Sequence, residues 1–199
     1  MKKLVNHFQN KNFDYVISEC KKLIRKIPNS PVLYNLLGLS FQQLNQFEIA
    51  KESYLKAAKL NSKNIAVLNN LGTIYKILEN FEDAEKYFEK ALELKPDYIN
   101  ALSNYGNLKK ETNNFKSAID LYKKALKIDD KEFVIHHNLA LAYLGIGELK
   151  LAQTHSLKAL EINPQHALSH KMLSDSTKYT KQNEHFKLML KTLKTENID

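Results

Sequence analysis

The chain has no tryptophan, one cysteine, three methionines, four prolines and five glycines in 199 residues. Each scarcity removes a class of chemistry. A lone cysteine excludes an intramolecular disulfide and any paired-cysteine motif. Cys20 occupies an apolar station and reads as a buried, inert thiol rather than a nucleophile. Five glycines, three of them tied to a packing station described below, leave no phosphate-cradling loop and no Gly-x-Ser-x-Gly turn. No Gly/Pro/Ser-rich linker interrupts the chain, so a single domain is expected over 1–199. No apolar run approaches membrane-spanning length, and the start Met1-Lys2-Lys3-Leu4-Val5-Asn6-His7 lacks the apolar core of a secretory signal. A soluble, cytoplasmic protein without membrane association is expected.

Against these scarcities stands a strict period. Gly38, Gly72 and Gly106 lie 34 residues apart and are continued by Ala140 and Ser174, each after a Leu or Tyr. A fixed spacing of this length marks a stack of one repeated unit. With residue 31 as position 1, units begin at 31, 65, 99, 133 and 167. Position 20 reads Ala50, Ala84, Ala118 and Ala152; position 24 reads Tyr54, Phe88, Tyr122 and Ser156; position 27 reads Ala57, Ala91, Ala125 and Ala159. Positions 4, 7, 8 and 11 form the apolar stripe of one amphipathic helix, and positions 20, 24, 27 and 28 that of a second. Turn-prone pairs separate them: Asn45-Gln46, Glu79-Asn80, Asn113-Asn114 and Gly147-Glu148. Glycine inside a helix costs about 1 kcal/mol relative to alanine, so its recurrence at position 8 predicts a close approach of two helix backbones, with Ala at 20 and 27 on the other side. Pro96 and Pro164 suit a helix end or the first turn of the next helix.

These stations resemble the tetratricopeptide repeat family, whose 34-residue signature has Leu-Gly, an aromatic, Ala, an aromatic and Pro. Position 4, often Trp in that family, here offers Tyr34, Leu68, Leu102, His136 and His170. The resemblance implies an all-α fold: an α-solenoid, a right-handed superhelix of antiparallel helix pairs. Four full repeats are expected at 31–64, 65–98, 99–132 and 133–166. Residues 1–30 read as a partial repeat, since Phe13, Val16, Cys20, Leu23 and Pro28 fall on the same stations, although its first helix is ambiguous. Residues 167–199 read as a degenerate capping repeat with a helix over 184–195.

On the first helix of each pair, the face opposite the stripe is positions 2, 6, 9 and 13. In the resembled family this face is concave and holds ligands. Position 6 reads Leu36, Asn70, Asn104, Asn138 and Met172, a ladder of three asparagines. Each offers one acceptor and two donors that can pair with an extended peptide backbone without reading its side chains. The ladder is similar to the one lining the repeat domains of O-linked N-acetylglucosamine transferases, which implies a peptide-binding role for Asn70, Asn104 and Asn138. Asn100, Asn104, Asn107 and Glu111 extend the polar stripe, with Thr73 at position 9. Apolar flanks are expected at Val32, Leu36 and Leu39 and at Val134, Leu141, Met172 and Tyr179. Lys76, Lys110 and Lys178 share position 12 at the edge of the face, with Lys171 nearby, where they could steer an acidic segment.

Other readings fare less well. The clamp that some family members use for a C-terminal carboxylate needs Lys where this chain has Ser103, and basic residues where it has Leu168 and Met172. The net charge of +8 admits a nucleic-acid partner, yet most lysines are interleaved with acids along second helices and the aromatics are committed to core stations, which argues against it. His136 and His137 point about 100° apart. His166 and His170 have metal-binding spacing but no third ligand, so neither metal nor cofactor is expected. The expectation is a non-enzymatic scaffold for protein or peptide partners, of undetermined oligomeric state. The alternative is the recognition arm of a fused transferase, because Leu173-Ser174, Lys178-Tyr179-Thr180, His185-Phe186, Met189 and Leu193 are similar to the last repeat of bacterial tetratricopeptide sulfotransferases.

Overall fold

The computed structural model describes residues 1–176 and 183–195. All regular structure among them is helical: α1 (Lys2–Gln9), α2 (Phe13–Lys26), α3 (Pro31–Gln43), α4 (Phe47–Leu60), α5 (Ile65–Ile77), α6 (Phe81–Leu94), α7 (Ile99–Glu111), α8 (Phe115–Ile128), α9 (Phe133–Gly145), α10 (Leu149–Ile162), α11 (Ala167–Ser176) and α12 (Glu184–Thr195). The first segment, ambiguous by periodicity, is thus helical, and Pro96 and Pro164 fall in the turns after α6 and α10. Among the described residues no helix is long and apolar enough to cross a membrane.

The five helix pairs from α1–α2 to α9–α10 close through one recurring turn. After the first helix a residue enters the left-handed region: Lys11, Asn45, Glu79 and Asn113 at φ near 58°, and Gly147 at 79°. The next amide then reaches back five residues, as Gln46 N–H does to Phe41 O at 2.9 Å, Asn80 N–H to Tyr75 O at 3.0 Å and Asn114 N–H to Lys109 O at 2.7 Å. These bonds satisfy carbonyls that a helix end leaves open. Asn or Gly adopts this conformation readily; Lys11 and Glu79 do so at some steric cost. Side-chain caps start several helices, with Ser30 Oγ accepting from Leu33 N–H ahead of Pro31, and Asn64, Asn80 and Asn114 accepting from Val67, Asp83 and Ser117 N–H.

The described residues form two compact units, 1–104 and 105–199, with the boundary inside α7. In the N-terminal unit each helix from α1 to α5 packs on the next. Its core runs through Val16, Cys20, Leu37, Phe41, Ala50, Tyr54, Ala57, Leu71 and Ile74, with Leu68, Ala91 and Ala101 forming a second cluster. Burial pushes the Cys20 thiol up to about 11, so the thiolate that would react is scarce. In the C-terminal unit α8 packs on α9, α9 on α10 and α10 on α11, around Tyr122, Ala125, Leu139, Ala142, Ala159 and Leu160.

The first helix of a pair is buried more broadly than one stripe, and α3, α5 and α9 each lie between their partner and the second helix of the pair before. Position 3 (Leu33, Val67, Ala101, Ile135 and Ser169) and position 10 (Ser40, Ile74, Leu108 and Ala142) are buried as well. The position-8 glycines also have a different reason from the one expected. A Cβ on Gly38, Gly72 or Gly106 would stand 2.5–2.6 Å from the ring of Tyr54, Phe88 or Tyr122. An aromatic side chain from position 24, rather than a helix backbone, rests on the glycine.

Candidate functional site

The ladder asparagines project from the first helix of each pair and are half-buried. In the N-terminal unit they knit neighbouring repeats together. Asn70 Nδ2 donates to Asn35 Oδ1 at 3.0 Å, and one repeat later Asn104 Nδ2 donates to Asn69 Oδ1 at 3.0 Å and to Thr73 Oγ1 at 3.4 Å. Thr73 spends its own hydroxyl hydrogen on Asn69 O at 3.0 Å, so its oxygen is an acceptor for Asn104. The pattern joins position 5 to position 6 of the following repeat, a bond that links residues 35 apart. Asn35 and Asn69 escaped the sequence reading. Their signal was present, two asparagines at one station directly before the ladder, but position 5 lies on neither the stripe nor its opposite face.

These bonds fix which way each carboxamide faces. Asn70 and Asn104 turn their amino groups toward the preceding repeat, and neither Oδ1 has a hydrogen-bond partner among the described residues. Asn138, in the C-terminal unit, is turned the other way. Lys110 Nζ, which can only donate, binds Asn138 Oδ1 at 2.9 Å, and the amino group has no partner among the described residues. Lys110 thus stands close enough to the ladder to orient it. Lys76 is half-buried on α5, and Glu111 is exposed at the end of α7.

Other expected site residues serve the scaffold. Asn107 Oδ1 accepts from the Tyr122 hydroxyl at 2.7 Å, in the way that Gln42 Oε1 accepts from Tyr54 at 2.7 Å. Burial raises both tyrosine pKa values, which keeps the hydroxyls as donors. Asn100 is exposed and donates to Tyr98 Oη at 3.4 Å. Of the expected apolar flanks, Val32 and Val134 are exposed and Leu39 and Leu141 half-buried, but Leu36 and Met172 are buried in their own units. Their side chains pack with the stack and cannot line a groove as anticipated. Tyr179 and Lys178 lie outside the described residues. Several lysines of the second helices lie over tyrosine rings: Lys51 over Tyr75 at 6.0 Å, Lys90 over Tyr87 at 5.6 Å and Lys123 over Tyr143 at 5.6 Å. In each the ammonium group itself lies over the ring, a cation–π contact.

The histidines are held in ways that spacing did not suggest. His166 binds Ser169 Oγ at 2.8 Å and His170 binds His185 at 2.7 Å, so the two do not face a common point. No group of three or more His, Cys, Asp or Glu side chains converges to hold a metal among the described residues.

Comparison with known proteins agrees with this architecture. A tetratricopeptide repeat model matches residues 29–97 and 63–131, and a second one matches 134–166. No curated protein matches the chain. Among solved structures it is similar to MamA, at 21% identity and TM-score 0.69 over 90% of this chain and 94% of that one. It is similar to PilF of Pseudomonas aeruginosa, at 18% identity and TM-score 0.79 over 100% and 90%. It is also similar to YrrB, described as a tetratricopeptide repeat protein with an unusual peptide-binding site, at 17% identity and TM-score 0.63 over 90% and 93%. Identities this low speak for the shared fold alone.

Proposed function

The chain belongs to the tetratricopeptide repeat family, and from that premise we propose that it is a non-catalytic scaffold holding an extended peptide segment of a protein partner. The orientation of the ladder carboxamides carries the reading. With their amino groups tied to the preceding repeat, Asn70 and Asn104 each present an oxygen to which a peptide N–H can donate. Asn138, with its oxygen held by Lys110, presents an amino group for a peptide carbonyl. Carboxamides fixed in this way lose little side-chain entropy when a ligand arrives. Contacts of this kind read backbone and leave side-chain choice to apolar residues of each unit, the exposed Val32 and half-buried Leu39 in the first and the exposed Val134 and half-buried Leu141 in the second. YrrB, which shares the fold, has a peptide-binding site of its own.

The test is a pull-down from lysate of the source cell with the full chain and its Asn70→Ala/Asn104→Ala/Asn138→Ala variant, at low and high salt. A protein retained by the wild type and lost by a variant that remains helical supports the reading and names the partner. Equal retention by both overturns it, and salt-sensitive nucleic acid in the eluate would replace it with a basic-surface function.

A further inference from the structure

Six of the seven histidines lie in the C-terminal unit, and they occur as pairs across its helices. His136 of α9 and His155 of α10 meet Nδ1 to Nδ1 at 3.1 Å, with rings stacked at 5.4 Å. His137 of α9 and His166, just before α11, both bind the buried Ser169 Oγ through Nδ1, at 3.0 and 2.8 Å. His170 of α11 meets His185 of α12, Nδ1 to Nε2, at 2.7 Å. We propose that these pairs make the C-terminal unit an acid-released clasp, in which proton uptake parts α9, α10, α11 and α12 while the N-terminal unit stays packed.

Proton bookkeeping explains why no pair can have both rings protonated and stay closed. A backbone carbonyl only accepts, so His136 Nε2, 3.0 Å from Asp130 O, carries a hydrogen, as does His170 Nε2, 2.7 Å from Pro164 O. Each ring must then accept through Nδ1, and its partner supplies the N–H. Within each of these two pairs the contact holds one hydrogen, and a second proton on it sets two N–H groups against each other. Ser169 has a single hydrogen to give. It can donate to one imidazole and accept from the other, but two imidazoliums would both have to donate to it.

The surroundings act mostly the same way. His136 faces Lys158 and Glu161 of α10 and Asp130 of the preceding turn; burial lowers its pKa and Lys158 adds to this, against the Asp130 carbonyl bond and the two carboxylates. His155 faces His136 and Tyr143 of α9 and Lys123 of α8, and burial, His136 and Lys123 hold it at about 4. His137 faces His166 and Lys110 of α7 and is held at about 4, again chiefly by burial. Burial and His170 lower both His166 and His185. A parted imidazole in water titrates near 6.5. The parted state therefore binds more protons than the closed one, and stability is lost as pH falls from about 6.5 toward about 4. Discounted for the partial exposure of the rings, each pair should raise the parted population roughly tenfold to a hundredfold over that interval.

Hydrogen exchange on the full chain at about pH 7 and about pH 4.5, corrected for intrinsic rates, reads this directly. Amides of α9, α10 and α11 should lose protection in acid while those of α2 to α6 keep theirs. The His136→Leu/His155→Leu variant places at stations 4 and 23 the residues that the preceding repeat carries there, Leu102 and Leu121, both buried. It should keep protection of α9 and α10 in acid. Uniform loss across both units, or a folded variant as acid-sensitive as the wild type, would overturn the proposal. Should the variant fail to fold, the imidazole resonances of the wild type decide. Paired histidines titrating well below the free-imidazole value of about 6.5 support the clasp, and a common midpoint near that value sinks it.

Discussion

The N-terminal and C-terminal units share a repeat but use different chemistry to tie one repeat to the next. In the first, carboxamides do it: Asn35 with Asn70, and Asn69 with Asn104 and Thr73. In the second, imidazoles do it: His137 and His166 both bind Ser169 of the next repeat, while His136 with His155 closes one repeat on itself. A carboxamide never titrates, whereas an imidazole changes charge close to neutrality. Two regions with the same helix stations can therefore answer the same change of conditions differently.

The comparison breaks first at the element both units share, an aromatic ring seated on a glycine. Phe88→Ala in one unit and Tyr122→Ala in the other should each cost about 3–5 kcal/mol in urea denaturation, since both side chains are fully buried. Losses differing by more than twofold would mean that the scaffolds are not equivalent. Next in size, Gly72→Ala should cost about 1–3 kcal/mol, because its Cβ would stand 2.6 Å from the Phe88 ring. Asn69→Ala removes the buried acceptor of Asn104 Nδ2 and should cost about 1–2 kcal/mol, equally near neutral pH and in mild acid. Ser169→Ala should cost about as much near neutral pH, with a penalty that shrinks as His137 and His166 protonate. A Ser169 penalty that is constant with pH would erase the distinction between the units. Smallest of all, Asn138→Ala should change stability by less than about 0.5 kcal/mol, since it removes one partly exposed contact with Lys110.

Much of the architecture is legible in the sequence, because a 34-residue period repeats each packing decision. Gly38, Gly72 and Gly106 announce a close approach, although the ring of position 24 that causes it emerges only once the second helix is folded back. Asn70, Asn104 and Asn138 are found by their shared station. Their orientation is not, since it depends on Asn35, Asn69 and Lys110, which reach them from neighbouring helices. The histidine pairs are the least legible element. His136 and His170 occupy a core station and read as packing residues, and His155 and His185 lie 19 and 15 residues further along the chain with no periodic relation to each other. Leu36 and Met172 show the same limit in reverse: opposite the stripe by helical phase, they are buried because neighbouring helices cover more than one face.

The five left-handed turns, at Lys11, Asn45, Glu79, Asn113 and Gly147, bear on how the chain reaches this structure. Each reverses direction using amides and carbonyls within a few residues, so a helix pair can close before anything distant has been made. The longest side-chain bonds named above join residues only 35 apart. Loop-closure entropy is small at such separations, which favours rapid folding. Nucleation should be open to any pair with a good turn, and growth should proceed outward in either direction. Glu79, like Lys11 a turn residue with neither the glycine nor the asparagine allowance, is where replacement by glycine should quicken closure of its own pair while leaving the others at their original pace.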